Sequence, residues 1–263
     1  MRITYRNQNV KNYWEKRWQD IPVDQPMENH LVYPLKFAEK IIRNPNGKIL
    51  EAGCGAGRIV RYYHKAGLDI TGFDFVEVAI TKLKNADPTL KVEVGDITAL
   101  RFADNSFKYV LAFGLYHNLE HGLSQAIEET HRVLEPGGSV CASFRADNIQ
   151  TKLTDWLTEL RTKKHSDVEK KDFHKVSLTH KEFKRAFEAA RFVVESIEAV
   201  ENMPILYKFS IFRAPAHKVF DENIARAEGY KLSKLGQLCQ TCLMYLFPNQ
   251  FCNVYVLIGH KTT

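Results

Sequence analysis

The chain has 263 residues, 44% hydrophobic and 26% charged, and its 37 Lys+Arg against 31 Asp+Glu give a formal charge of +6. This excludes a disordered or fibrous chain, and the length suits one large α/β domain with insertions, or one domain with a small cap. The mild positive charge favours anionic substrates or surfaces and falls short of a dedicated nucleic-acid binder.

The amino-terminal stretch MRITYRNQNVKNYWEKRW lacks the apolar core of a signal peptide, and no apolar run is long enough to span a bilayer. A cytoplasmic location is expected, in which Cys54, Cys141, Cys239, Cys242 and Cys252 stay as thiols. Cys239 and Cys242 form C-x-x-C, but no second Cys/His pair stands at zinc-finger spacing. The pair reads as two small apolar residues on one helix face.

In chain order, KNYWEKRWQD at 11–20 puts Tyr13, Trp14, Arg17 and Trp18 at helical spacing, and a second helix is predicted over 35–43, before the turn NPNG. The pattern then alternates. GKILEAG is a strand, RIVRYYHKAG a helix closed by Gly67, DITGFDF a strand and EVAITKLKNA a helix. KVEVGD and YVLAFGL are strands, LSQAIEETHRVL is a helix, and GSVCASF is a strand entered through the turn EPGG.

Strands alternating with helices of this length imply right-handed crossovers and a mostly parallel sheet covered on both faces, the open doubly wound order. Residues 145–178, with the run RTKKHSDVEKKDFHK, read as an exposed insertion. Asp167, Glu169, Asp172 and Glu182 interleave with the bases of 161–185, which makes that stretch a solvated face in preference to an RNA-binding one. THKEFKRAFEAA is a helix with Thr179 as N-cap, RFVVESIEAV a strand, and NVYVLIGHK a last strand lying antiparallel at the edge or between neighbours. Between these two, KLSKLGQLCQTCLMYLF repeats Leu232, Leu235, Cys239, Cys242 and Leu246 at helical period, which predicts a cap over the sheet's carboxyl edge; a membrane-surface helix is the alternative.

Chemistry concentrates at three strand ends. EAGCGAG at 51–57 sits at a strand-to-helix junction, where Gly53, Gly55 and Gly57 let the backbone turn sharply and approach a ligand beside a helix amino terminus. Its G-x-G-x-G spacing departs from the dinucleotide G-x-G-x-x-G, whose third glycine would fall at Arg58, and from the P-loop. Asp74 closes the second strand about twenty residues on, where a carboxylate can take two ribose hydroxyls, and Asp96 closes the third at the same edge.

These segments resemble the class I S-adenosylmethionine-dependent methyltransferases. ILEAGCGAGR is similar to their first motif, ITGFDF to the second-strand motif, VGDITALRFADNSF to the segment that reaches adenine, and RVLEPGGSVCASF to their turn and fifth strand. The resemblance implies a Rossmann-like α/β fold with a seven-stranded, mostly parallel sheet. It divides the chain into amino-terminal helices over 1–44 as a lid, a cofactor domain at 45–200 and 251–263, and a cap at 201–250. It further implies S-adenosyl-L-methionine as cofactor. Glu51 would orient the methionine amine, Gly53, Gly55 and Gly57 would form the loop beneath it, and Asp74 would hold the ribose. Phe75 would flank adenine, Asp96 and Ile97 would meet its edge, and Phe113 would lie near the methionine end. The family often has an acid where this chain has Lys108.

HNLEH at 117–121 spells H-x-x-E-H, a zinc-peptidase signature. A peptidase needs both histidines on one helix and a third ligand, whereas these follow a strand directly, where open α/β sheets gather their ligands, so no metal is expected. Tyr116 and His117 become the candidates to bound the methyl-transfer site, with His117 either a proton acceptor or a packing residue, and Glu120 and His121 are expected to start the next helix. The expected reaction is methyl transfer to an O or N atom of a small or medium-sized metabolite, a saccharide or lipid-linked precursor. The rivals are an NAD(P)-dependent oxidoreductase, a zinc hydrolase, an RNA or protein methyltransferase, and a non-catalytic cofactor-binding module.

Overall fold

A computed structural model of the chain describes residues 1–6, 10–21, 33–162, 171–201, 203–219 and 230–263. Its elements are β1 (Arg2–Arg6), α1 (Val10–Asp20), α2 (Leu35–Ile41), β2 (Ile49–Ala52), α3 (Arg58–Lys65), β3 (Ile70–Asp74), α4 (Glu77–Ala86), β4 (Lys91–Val94) and β5 (Phe107–Ala112). They continue as α5 (Leu123–Val133), β6 (Leu134–Arg145), α6 (Ile149–Thr162), β7 (Asp172–Ser177), α7 (His180–Ala189), β8 (Phe192–Val200), α8 (Lys234–Leu246), α9 (Pro248–Phe251) and β9 (Val254–Lys261). Part of the basic run, 163–170, and part of the cap, 220–229, lie outside the described residues.

Seven strands form one sheet in the order β4-β3-β2-β5-β6-β9-β8. The first five run parallel, and β9 inserts antiparallel between β6 and β8, so the last strand lies between neighbours. Alternate residues of each central strand face opposite sides, the period-two rule of an extended chain. Leu50, Val110 and Val140 pack towards α5 and α7, while Ile49, Leu111 and Cys141 pack towards α2, α3 and α4. With both faces covered these strands read as continuous apolar runs, as their sequence does.

Local signals act where they were expected. Thr179 caps α7 through a capping box with Glu182, and the turn EPGG is looped out of the β5–β6 ladder, whose register steps from Phe107↔Leu134 to Tyr109↔Ser139. Lys108 has a structural task there: its Nζ donates to the Gly137 carbonyl at 3.0 Å and pins the turn.

Three expectations need correction. Residues 145–178 are not simply an exposed insertion: they carry α6 and β7, with Phe173, Val176 and Leu178 buried. Residues 2–6, expected among helices, form β1, which pairs antiparallel with β7 in a separate two-stranded sheet. Both segments look solvated because the polar side chains they bury are paired with one another. Asp155 of α6 receives Arg2 Nη1 at 2.7 Å and Lys175 Nζ at 2.9 Å. The third concerns α8. Its buried face is Gly236 and Gln240, while Leu235, Leu238, Cys242 and Leu246 point outward. Among the described residues no helix is long and apolar enough to cross a membrane.

Candidate active site

The carboxyl ends of β2, β3 and β5 converge on one edge of the sheet. After β2 the chain turns through Gly53, Gly55 and Gly57, all at positive φ (73°, 52° and 74°), where a side chain strains the backbone. The three have different duties. A Cβ on Gly57 would meet Leu83 Cδ2 at 2.4 Å, so this glycine lets α3 pack against α4. One on Gly55 would meet Trp18 Cζ2 at 2.5 Å, so the loop surface is covered by an indole from α1. Gly53 faces Leu115 more loosely.

Trp18 is half-buried and stacks on Trp14 with ring centroids 5.2 Å apart. Lys82 of α4 donates to the carbonyls of Trp18, Gln19 and Ile21 at 2.8–2.9 Å, which supplies a cation where the dipole of α1 is negative. The amino-terminal helix is thus anchored over the glycine turn.

Two carboxylates sit beneath it. Asp74 is buried, and its oxygens accept from Gly55 N at 2.8 Å and Val76 N at 2.9 Å, which ties the glycine turn to the end of β3. Burial pushes its pKa up, opposed by these backbone donors. Glu51 is buried and accepts from Val60 N at 2.7 Å. Burial outweighs that bond and nearby Arg58, and its pKa rises to about 8.

Phe75 is exposed just beyond Asp74. Asp96 is also exposed, and one of its oxygens accepts from Thr98 N and Oγ1, both at 2.8 Å, closing the loop at the end of β4; the Ile97 side chain is in the core. Phe113 lies half-buried after β5 against Tyr33, with centroids 5.7 Å apart. The Tyr33 hydroxyl pairs with Ser143 Oγ at 2.9 Å, and that Oγ also accepts from Gly114 N. Neither Tyr33 nor Ser143 carries a sequence signal of its own, because the pairing exists only once α2 crosses β6.

HNLEH is not a helix. Tyr116–Asn118 form a single tight turn, and Glu120 and His121 are exposed ahead of α5, which starts at Leu123, so they do not begin that helix. His117 is buried, stands edge-on to Phe144, and leaves Nδ1 without a hydrogen-bond partner. Burial first, then Arg145, Lys175 and His174, hold its pKa well below the usual range, so the imidazole is neutral. Tyr116 does not fit the role expected of it: its ring is wholly buried against Phe187 and its hydroxyl is bonded to Thr130 Oγ1 at 2.6 Å. Among the described residues, no three His, Cys, Asp or Glu side chains are grouped as a metal site.

Arg145, His174 and Lys175 were hidden in the segment read as solvated. They reach His117 because Leu178 N donates to the Arg145 carbonyl and the 116–118 turn packs on β7. His174 is the extra residue of a β-bulge, skipped between the pairs Thr4↔Lys175 and Tyr5↔Phe173, and such bulges re-aim a side chain. Burial lowers the pKa of His174 to about 3 and that of Lys175 to about 8, Asp155 opposing the shift in both.

A parallel five-strand core with a glycine turn and acidic strand ends defines a nucleoside-cofactor domain of the Rossmann-like class. Comparison with known proteins narrows it. Residues 50–142 match the methyltransferase-domain family. Over 102 residues the chain is 38% identical to demethylmenaquinone methyltransferase of Renibacterium salmoninarum, which covers 38% of this chain and 42% of that protein. Over 92 residues it is 33% identical to malonyl-[acyl-carrier protein] O-methyltransferase of Pseudescherichia vulneris, covering 35% and 36% respectively. The matched segment therefore spans less than half the length of either relative. An S-adenosylmethionine-dependent methyltransferase structure from Methanosarcina mazei superposes with a TM-score of 0.59 at 18% identity, over 88% of this chain and 98% of that one.

Residues 50–142 thus match a methyltransferase domain, and the fold is one shared with a solved S-adenosylmethionine-dependent methyltransferase. The residues present fit S-adenosylmethionine: a glycine turn at positive φ, a helix amino terminus, and two buried carboxylates on adjacent strands.

Proposed function

We propose that the protein transfers a methyl group from S-adenosylmethionine to an oxygen or nitrogen atom of a small or medium-sized, polar metabolite such as a saccharide or lipid-linked precursor. The observation that carries this reading is the meeting, at one sheet edge, of the glycine turn, buried Asp74 and the unpartnered Nδ1 of buried His117. The two relatives are named for demethylmenaquinone and malonyl-[acyl-carrier protein], which supports an acceptor outside the nucleic acids.

When bound, the cofactor supplies a methyl group on a sulfonium, an activated leaving group that asks little of acid–base chemistry. In this reading Asp74 accepts from the ribose hydroxyls, Glu51 in its ionised form receives the methionine ammonium, and α1 with Trp18 excludes water. His117, kept neutral by burial first and then by its cationic neighbours, accepts a hydrogen bond from the acceptor group at Nδ1. Arg145 and Lys175 would favour the deprotonated form of that same acceptor group by their charge, so alignment and the local field share the work.

At the carboxyl end of β8 a cavity of about 510 Å³ opens beneath α8. Glu201, Gln237, Gln240 and Thr241 line it; Gln240 donates to Glu201 at 3.0 Å and leaves its own carbonyl oxygen unbonded. Such a lining supports a hydroxyl-rich acceptor, which can use both donors and acceptors.

Native mass spectrometry with and without S-adenosylmethionine tests the cofactor, and transfer of a labelled methyl group from it to metabolite pools tests the reaction. A nicotinamide adduct in place of the expected mass increment overturns the reading. With an acceptor in hand, His117→Ala should lower kcat more than it weakens cofactor binding; equal loss in both makes His117 a cofactor contact.

A further inference from the structure

Two helices on the acceptor side turn apolar stripes away from the protein. On α6, Ile149, Leu153, Trp156 and Leu160 recur at helical spacing and are 37–54% exposed. On α8, Leu235, Leu238, Tyr245 and Leu246 do the same and are 55–85% exposed. The stripes belong to one face. Short helix α9 packs against both α6 and α8, and Asn148, just before α6, donates to the Asn249 carbonyl at 2.9 Å. Exposed Phe247 stands at the junction. Soluble proteins rarely expose contiguous apolar area of this kind without a use for it.

Among the described residues the charge around the stripes is mainly positive; Glu201 lines the cavity beneath α8, and Asp221, Glu222 and Glu228 belong to 220–229, outside the described residues. Residues 203–219 and 230–251 contain no acidic residue. Lys152 of α6 and Lys218, Lys231 and Lys234 beside or on α8 are exposed, while the acids of α6 are engaged: Asp155 faces inward to Arg2 and Lys175, and Glu159 pairs with Lys171. A second copy of this chain would bring these lysines against their own kind, which disfavours self-association through the face. A surface that is apolar at depth and anionic at its boundary complements it.

We propose that the α6–α8 face docks on an anionic phospholipid bilayer, with the apolar stripes entering the headgroup boundary and the lysines meeting lipid phosphates. The attachment is interfacial, since among the described residues no helix is long and apolar enough to cross. Lys231 and Tyr245 of this face also line the 510 Å³ cavity, so docking sets the mouth of that cavity at the membrane surface.

The test is co-sedimentation of the full chain with vesicles of phosphatidylcholine, with and without phosphatidylglycerol, beside light scattering of the protein alone. Expected is binding at least about tenfold stronger to the anionic vesicles, weakened by salt, and reduced about tenfold by Trp156→Ser with Leu238→Ser and by Lys234→Glu with Lys218→Glu, with melting temperature and cofactor binding unchanged. Equal binding to both vesicle types, or binding that neither pair of substitutions alters, overturns the proposal. So does a dimer that Trp156→Ser with Leu238→Ser dissolves in a protein that ignores vesicles, because the face is then a self-interface.

Discussion

The two ends of the sheet treat polarity in opposite ways. Around β2, β3 and β4 the apolar residues point in, Phe75 and Val94 apart, and the polar ones out, and the carboxylates that do point in, Glu51 and Asp74, are those proposed for the cofactor site. Around β1, α6 and α8 the order is reversed. β1 turns Arg2, Thr4 and Arg6 inward and Ile3 and Tyr5 outward; α6 buries most of Asp155 and exposes Trp156; α8 buries Gln240 and exposes Leu238. A periodic pattern records only that two faces differ. Which face meets the protein depends on what each finds there, and at the acceptor end the inner faces find charge and hydrogen bonds.

The comparison breaks most sharply at Asp155. With Arg2 and Lys175 both on its carboxylate and its side chain 11% exposed, it is the polar counterpart of a core leucine. Burial alone would raise its pKa, yet Lys175 and Arg2 hold it below the ordinary value. Asp155→Ala leaves two partly buried cations facing each other, and a loss of about 3–5 kcal/mol in folding stability is expected from urea unfolding. Recovery of most of that loss when Lys175→Met is added would show that unpaired charge, and not lost packing, is the cause.

At the other end the inward carboxylates are the proposed ligand contacts. Asp74→Ala should weaken S-adenosylmethionine binding by about 1–3 kcal/mol in titration calorimetry, because the ribose loses its acceptor and Gly55 its anchor. Unchanged binding would remove Asp74 from the site.

Glu51 adds a pH dependence with a definite sign. Its pKa in the folded protein, raised by burial to about 8, lies above that of the unfolded chain. The stability this group contributes is therefore fully present in acid, below the unfolded value, and is lost as pH rises through about 8. Cofactor binding runs the other way: if the ammonium needs the ionised form, affinity climbs up to about tenfold per pH unit towards 8 and then levels. Calorimetry in buffers of different ionisation enthalpy should show proton release on binding at pH 7, abolished in Glu51→Gln. No release in the wild type would mean that Glu51 already binds the cofactor in its existing charge state.

These residues also mark where sequence was readable. The alternating parallel strands, the glycine turn and Asp74 follow from local features, since strand, turn and helix stand consecutively in the chain and each carries its own period or turn residue, while the count of seven strands rested on the family resemblance and the place of β9 was left open. Tyr33 over Phe113, Arg145 and Lys175 beside His117, and β1 against β7 are pairings between residues 28 to 175 positions apart, and nothing local to either partner announces them. Tyr116 shows the same limit at shortest range. Its position beside His117 suggested chemistry, but the tight turn at 116–118 sends the two side chains in different directions, one to Thr130 and one to Phe144.

The smallest expected effect is the most discriminating about α8. The repeat in KLSKLGQLCQTCLMYLF, read as a cap over the sheet's carboxyl edge, would turn Leu235 towards that edge; the structure leaves Leu235 and Leu238 more than half exposed. Leu83, which packs on Gly57 at the glycine turn, is the control, being fully buried. Leu83→Ala should cost about 2–5 kcal/mol, the lost transfer energy plus the cavity. Leu238→Ser should change stability by less than about 0.5 kcal/mol, because the removed atoms are largely in water already, against a modest loss of helix propensity. A loss of several kcal/mol at Leu238 would mean that α8 turns its leucines inward in solution, and the reversal of polarity between the two ends of the sheet would fail at that helix.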